Sequence, residues 1–211
     1  SDGGNGYNLT IDAGSNGGTV TIGDGADGGN GDTLGDRITI DGALSLTAAG
    51  GTTANAPSGD LEVISNDISL VSEISVGVLE LYTYAGGYSM GIGDDGGEDW
   101  ILGDSEIGLL SSGPAITTLI IGEDGVQSQR ISFYTADLSG TAADLQVHSN
   151  NGTAAGITLD DQSTSPALHM GAGEIQLFAD GGSILAAQPS PGALHAEIAT
   201  SNQVILSSGS Q

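Results

Sequence analysis

The chain contains no cysteine and no lysine, and Arg37 and Arg130 are the only cationic side chains among its 211 residues. Without cysteine there can be no disulfide bond, thiol nucleophile or thiolate metal site. The 27 acidic residues give a formal net charge of −25. So few cations cannot neutralise a run of phosphates, so we expect neither a nucleic-acid partner nor attraction to an anionic membrane.

Long apolar runs and large side chains are also scarce. No stretch of about 18 apolar residues is present, so we expect no membrane insertion. There is no signal peptide and no initiator methionine, so we expect Ser1 to be a processed end or the edge of a fragment. Aromatic residues make up 4% of the chain, whereas 37 residues are glycine. A repetitive fold suits this composition, because each repeat only has to cover its neighbour and glycine permits tight corners.

Short segments of alternating apolar residues, each closed by glycine or a small polar residue, recur along the chain. They include residues 8–12, 19–23, 37–41, 43–47, 60–63, 67–70, 156–159, 174–177 and 203–206. A period of two is typical of a strand with one buried and one exposed face. It predicts that Ile68 and Leu70 point inward and that Asp67 and Ser69 point outward. No window shows helical spacing with caps, so we expect an all-β fold with no substantial helix.

Three segments can be distinguished along the chain. Residues 1–36 are rich in glycine and aspartate, residues 37–188 form a repetitive β-shaft, and residues 189–211 form terminal strands. Within the shaft, residues 85–106 are an irregular acidic and aromatic insertion. The prolines fall in apparent turns. Repetition of one small strand–turn unit predicts an elongated β-solenoid or an intertwined trimeric β-helix or β-prism shaft.

Two acidic clusters are candidate calcium sites. The first lies around a sequence close to the calcium-binding nonapeptide, and the second packs four carboxylates into seven residues. Their possible ligands are Asp24, Asp27, Asp32 and Asp36 in the first, and Asp94, Asp95, Glu98 and Asp99 in the second. Crowded carboxylates favour a bound cation. The alternative is that both clusters are solvated acidic loops. Calcium is therefore a candidate ligand, and we expect no cofactor to be required.

Aromatic and histidine residues supply the other candidates. Four aromatic residues lie close together in sequence and could contact a glycan or fill a widened core: Tyr82, Tyr84, Tyr88 and Trp100. Three histidines could converge on the axis of a trimer and bind a metal, or could be isolated polar positions: His148, His169 and His195. A nucleophile elbow and triad spacing are both absent, so we expect a non-enzymatic protein. Two carboxylates suffice for glycoside hydrolysis, which leaves that activity as an alternative.

The glycine-rich strings near the start and the repeat at residues 59–72 resemble two classes of protein. Gly-Gly-Asn-Gly-Tyr-Asn-Leu-Thr-Ile-Asp-Ala-Gly at residues 3–14, with residues 17–25, is similar to repeats of bacteriophage tail fibres and minor tail proteins. Residues 59–72 resemble the shaft repeats of the same proteins, in which three chains commonly wind together. This resemblance implies a homotrimeric, structural segment of a tail fibre or tail-tip protein that serves host attachment, with a cell-surface glycan as a candidate partner.

The same strings also resemble filamentous-haemagglutinin-type adhesins, in which a single chain coils into a right-handed β-helix. That resemblance implies a secreted bacterial adhesin or extracellular filament. A third interpretation is a tailspike-like polysaccharide depolymerase. These interpretations place the protein in a virion tail, outside the cell or on the cell surface.

Overall fold

The structure is a computed structural model. It describes residues 9–10, 36–39, 43–46, 52–65, 67–70, 73–83, 86–93, 97–112, 116–152, 155–160, 165–187 and 197–209. Most of these residues lie in β-strands and one segment forms an α-helix. The predicted all-β class is therefore confirmed.

The strands are short, with two longer exceptions in the first half of the chain. In the first half they are β1 (Leu9–Thr10), β2 (Asp36–Thr39), β3 (Ala43–Leu46), β4 (Thr52–Ser65), β5 (Asp67–Leu70), β6 (Glu73–Thr83), β7 (Met90–Ile92) and β8 (Trp100–Leu102). The helix α1 (Asp104–Ser112) follows. The remaining strands are β9 (Thr118–Ile121), β10 (Ile131–Tyr134), β11 (Ala136–Leu138), β12 (Asp144–Ser149), β13 (Ala155–Asp160), β14 (Leu168–Met170), β15 (Ile175–Ala179), β16 (Ser183–Ala187), β17 (Ile198–Ala199) and β18 (Val204–Ser208).

The largest sheet, here called sheet 1, runs in the order β1-β2-β4-β6-β9-β12-β15-β18. Each described pairing in it is parallel. Leu119 on β9 pairs with Leu145 on β12, which pairs with Ile175 on β15 and then with Val204 on β18. Residues in one such row lie above one another and point to the same face. Sheet 1 draws strands from each of the three predicted segments, whose division stays a prediction.

Three smaller parallel sheets accompany sheet 1. Sheet 2 has the order β16-β13-β10-β7-β8, sheet 3 has the order β11-β14-β17, and sheet 4 pairs β3 with β5. A three-strand unit therefore recurs along the chain, with its first strand in sheet 1, its second in sheet 2 and its third in sheet 3. These units are β9-β10-β11, β12-β13-β14 and β15-β16-β17.

The core lies between the inward rows of the sheets. Leu145, Ile175 and Leu177 are 0% exposed, and Trp100 and Phe133 are the largest fully buried side chains. Alternation of buried and partly exposed positions along β12 and β15 follows the period of two in the sequence. Each buried aliphatic side chain contributes about 1.5–3 kcal/mol relative to an exposed one.

Strand β5 confirms the predicted faces of Ile68, Ser69 and Leu70, whereas the side chain of Asp67 lies outside the described residues. Ile68 is 4% exposed and Leu70 is 5% exposed, whereas Ser69 is exposed. The pleat places alternate side chains on opposite faces, and only the apolar pair meets the core.

Helix α1 corrects the expectation of a fold with no substantial helix. The carbonyl oxygen of Gly103 accepts hydrogen bonds from the N–H groups of Glu106 and Ile107, so Gly103 is the N-cap residue. The Glu106 carboxylate accepts a bond from the Gly103 N–H at 2.9 Å, which is the reciprocal half of a capping box. Ile107 and Leu110, one turn apart, are buried. The helix packs against β5, β6 and β11.

The irregular insertion predicted at residues 85–106 contains two core strands, β7 and β8, which extend sheet 2. Pro57 lies within β4 and not in a turn. The register of β4 against β6 shifts between Ala56 and Asp60, and a bulge of this kind tolerates a residue without an N–H. Among the described residues, no helix has the length and apolar character needed to cross a membrane.

Candidate functional site

The carboxyl ends of β9, β12 and β15 meet at one corner of sheet 1, and three side chains with metal-ligand atoms come together there. They are Asp124, His148 and Asp180, and one potential ligand atom from each lies within 4.8 Å of the others. We call this group the Asp–His–Asp corner. It is the one group of three or more such side chains found in the part of the chain that the structure describes.

The backbone around each residue explains the convergence. His148 is on β12 between the inward residues Val147 and Ser149, so its ring faces outward. Asp124 is in the turn after β9, and the Asn150 side chain fixes that turn by donating to the Gly125 carbonyl at 3.2 Å. Asp180 follows the inward residue Ala179, at the start of the turn that ends β15.

Gly122 lets the Asp124 turn approach β12 closely. Its φ of 81° lies in the left-handed region, and a Cβ atom there would stand 2.2 Å from the His148 carbonyl oxygen. A side chain at this position would therefore clash with the backbone that carries His148. The Gly122 N–H donates to the Leu81 carbonyl at 3.0 Å, which anchors the turn to the preceding strand.

The His148 ring is held in place by packing. It stacks on Phe178 of the neighbouring strand with ring centroids 4.8 Å apart and an interplanar angle of 15°. Its Nδ1 atom is buried and has no hydrogen-bond partner. The nearest carboxylate oxygen, Oδ1 of Asp124, is 4.0 Å away, beyond hydrogen-bond distance. The His148 side chain is 19% exposed, compared with 77% for Asp124.

This arrangement presents one imidazole nitrogen and two carboxylates to a common point. Imidazole nitrogen suits zinc and its neighbours among the transition metals, whereas calcium prefers a shell of oxygen atoms alone. The residues therefore fit a divalent transition metal better than they fit calcium.

The predicted acidic clusters lie mostly outside the described residues. This applies to Asp24, Asp27 and Asp32 in the first cluster and to Asp94 and Asp95 in the second. Asp36 is the first residue of β2, and its side chain is not among those that the structure describes. Calcium binding by these residues stays a prediction.

Glu98, a candidate calcium ligand, is a buried residue that anchors its loop, and calcium binding by it stays a prediction. Its side chain is 0% exposed, and its Oε1 accepts hydrogen bonds from Arg130 at 2.9 Å, Ser132 at 3.0 Å and Tyr134 at 2.8 Å. Three donors occupy this oxygen, whereas the other carboxylate oxygen, Oε2, is buried and has no hydrogen-bond partner. Glu98 fastens the loop to the outer face of β10. Burial raises the pKa of Tyr134, which keeps its hydroxyl a donor.

Asp99 also makes hydrogen bonds within the insertion. Its Oδ2 accepts a hydrogen bond from the Ser89 hydroxyl at 2.9 Å, and the Asp99 N–H donates back to the Ser89 hydroxyl oxygen. This reciprocal pair joins the chain just before β7 to the chain just before β8. The two described members of the second acidic cluster thus stabilise the fold of the insertion.

The aromatic candidates are mostly buried. Trp100 is 0% exposed and donates from Nε1 to the Ser65 hydroxyl, and Tyr82 is 9% exposed. Neither offers an open ring face on which a sugar could stack: Trp100 lies in the core, and Tyr82 is buried on the outward face of sheet 1. Tyr88 is partly exposed, and Tyr84 lies outside the described residues. Of the four, Tyr88 alone is described with accessible surface suited to a glycan.

The three histidines do not share one site in the described residues. His169 pairs with Asp137 at 3.2 Å on sheet 3, and His195 lies outside the description. Sequence inspection singled out His148 but missed Asp124 and Asp180. Each of the two precedes a glycine at a strand end, yet nothing in that local pattern indicates that they share a corner.

Comparisons with protein-family models, with curated proteins and with solved structures returned no match to this chain.

Proposed function

We propose that this chain is a single-chain β-solenoid that serves as a structural, non-enzymatic segment of an extracellular attachment protein or filament. In this proposal each three-strand unit is one coil, and successive coils stack through their parallel ladders. The mechanism is mechanical: a stiff stack of short strands holds an attachment surface away from its base.

The observation that carries the proposal is the register within one chain. Ile121, Val147 and Leu177 form an unbroken row along β9, β12 and β15, and all three are 0% exposed. Each coil covers its neighbour, as a solenoid requires. The apolar core is complete without a second chain at these positions, which supports the adhesin-like interpretation over an intertwined trimer.

The charge balance is consistent with this role. Open sheet edges and flat ladders invite lateral pairing with other chains. A net charge of −25 opposes such pairing and keeps an extended protein in solution.

The phage tail-fibre hypothesis shares the structural role and differs in subunit number. Light scattering on the purified chain separates the two. A folded monomer near 20.7 kDa, with the frictional ratio of an elongated particle, supports the single-chain solenoid. A stable particle of three times that mass would contradict it and support the trimeric fibre.

Attachment is tested separately from assembly. Immobilised bacterial surface polysaccharides, probed with labelled protein, should retain the wild-type chain. Tyr88→Ala should weaken retention if this partly exposed ring contacts the glycan. Gln129→Ala is the matched control, because Gln129 is exposed and its carbonyl oxygen accepts from the same Gln127 amide as that of Tyr88. Release of new reducing ends from the polysaccharide would contradict the non-enzymatic role and support the depolymerase hypothesis.

A further inference from the structure

We propose that the Asp–His–Asp corner is a binding site for a single divalent transition-metal ion of the zinc class. The proposal rests on the geometry of Asp124, His148 and Asp180 and does not depend on the proposed structural function. A bound ion would join the ends of β9, β12 and β15, three successive strands of sheet 1.

His148 brings an unused ring nitrogen to the corner. Nδ1 is shielded from solvent and has no hydrogen-bond partner, although a buried polar atom without a partner is costly to a fold. A metal ion would supply that partner. The Phe178 ring stacked on the imidazole already fixes its plane, so the nitrogen does not have to be ordered on binding.

The corner also holds a pair of carboxylates. Asp124 and Asp180 bring two negative charges to within 4.8 Å of one ring nitrogen of His148. Arg130 is the one cationic side chain that the structure describes, and it is bonded to Glu98. No described cation is therefore placed to neutralise the pair, and a divalent ion would do so.

The spacing of the three potential ligand atoms is close to that of a zinc site. Zinc ligands at about 2.0–2.2 Å from the ion stand roughly 3.5 Å from each other. The observed limit of 4.8 Å and the 4.0 Å between His148 Nδ1 and Asp124 Oδ1 are slightly wider. Asp124 is 77% exposed and sits in a turn, so its side chain can close this gap without disturbing the core. Three protein ligands leave a fourth position for water.

The test is zinc titration of the full chain by calorimetry, in a large excess of calcium that occupies diffuse acidic sites. We expect about one zinc ion per chain, and a rise in melting temperature that calcium alone does not produce. Asp124→Asn removes a ligand at an exposed position, where unfolding is not expected. It should weaken zinc binding by at least the roughly 10–100-fold typical for loss of a supporting residue.

His169→Ala is the matched control, because His169 also faces an aspartate, Asp137, but belongs to no group of three ligands among the described residues. It should bind zinc as the wild type does, whereas His148→Ala should lose binding. If the wild type binds no zinc under these conditions, the proposal is overturned. It is equally overturned if Asp124→Asn binds normally, or if His169→Ala loses as much affinity as His148→Ala.

Discussion

Tyr82 has an unusual environment for a side chain on the outward face of sheet 1. Burial raises its pKa above the ordinary value of 10.0, and the nearby carboxylates of Glu80, Glu62 and Glu123 raise it further. Both effects act against the phenolate, because burial removes its hydration and the acids repel its charge.

This environment predicts a loss of stability at high pH. Above about pH 10 the tyrosine of the unfolded chain releases its proton while Tyr82 of the folded chain keeps it, so alkaline pH favours unfolding. The chain has no lysine or cysteine to complicate this range. Urea unfolding between pH 9 and 11.5 should show the wild type losing stability faster than Tyr82→Phe. Parallel profiles for the two proteins would show that Tyr82 is not the group responsible.

Thr135 stores backbone strain between β10 and β11. Its φ of 55° lies in the left-handed region, which a β-branched side chain rarely adopts, and its hydroxyl oxygen is buried without a partner. Relief of that conformation is worth about 1–2 kcal/mol, and the extra freedom of glycine in the unfolded chain offsets roughly 0.5–1 kcal/mol of it. Thr135→Gly should therefore stabilise the protein by about 1 kcal/mol in chemical denaturation.

Thr158 provides the contrast for that substitution, because it lies in the extended strand β13. Thr158→Gly should destabilise the protein by at least about 0.5–1 kcal/mol. Equal destabilisation by the two changes would mean that Thr135 is not strained.

At the scale of the strand, the loss of stability on truncating an apolar side chain should depend on whether a further strand covers that side chain. Leu177 on β15 lies in register between Val147 and Leu206 and is 0% exposed, whereas Leu206 on β18 is 56% exposed. Leu177→Ala should cost about 2–5 kcal/mol through lost contacts and a residual cavity. Leu206→Ala should cost less than about 1 kcal/mol. Similar losses at both positions, measured by denaturant unfolding, would show that Leu206 is covered in solution.

At the scale of the helix, Glu106 joins α1 to the sheet. Its two carboxylate oxygens accept hydrogen bonds from the N–H groups of Leu70 and Gly103, each at 2.9 Å. Glu106→Ala leaves both donors without this acceptor and should cost about 1–3 kcal/mol. Ser105→Ala, at an exposed position of the same helix, should stay within about 0.5 kcal/mol. A neutral result for Glu106→Ala would mean that water replaces the carboxylate at no cost.

At the scale of the whole molecule, charge repulsion should limit stability at low salt. Glu62 and Glu80 are direct neighbours in register on β4 and β6, in a chain of net charge −25. Sodium chloride should therefore raise the melting temperature. Glu80→Gln should reduce that response, because it removes the repulsion and leaves Glu62 in register with Arg37 on β2. Calcium at matched ionic strength should act as sodium does if screening is the cause. An additional calcium-specific rise would support ion binding by the predicted acidic clusters.

The local sequence was sufficient to predict which face of β5 is buried. Ile68 and Leu70 point inward and Ser69 outward because alternation in a pleated strand is a property of neighbouring residues alone. The all-β class followed from the same repetition. Glycine-rich segments also indicated where many strands end, because a glycine turn can be recognised from a few consecutive residues.

Which strands become neighbours was decided only by the tertiary structure, because the alternating pattern is the same whatever strand lies beside it. The Asp–His–Asp corner depends on that pairing: Asp124, His148 and Asp180 are far apart in the chain and meet only because β9, β12 and β15 stack in parallel. Glu98 looks like a solvated loop acid in sequence, but the donors on β10 and from Arg130 make it a buried anchor. Short-range patterns encode the faces of the strands, whereas the site requires long-range register, which no local pattern specifies.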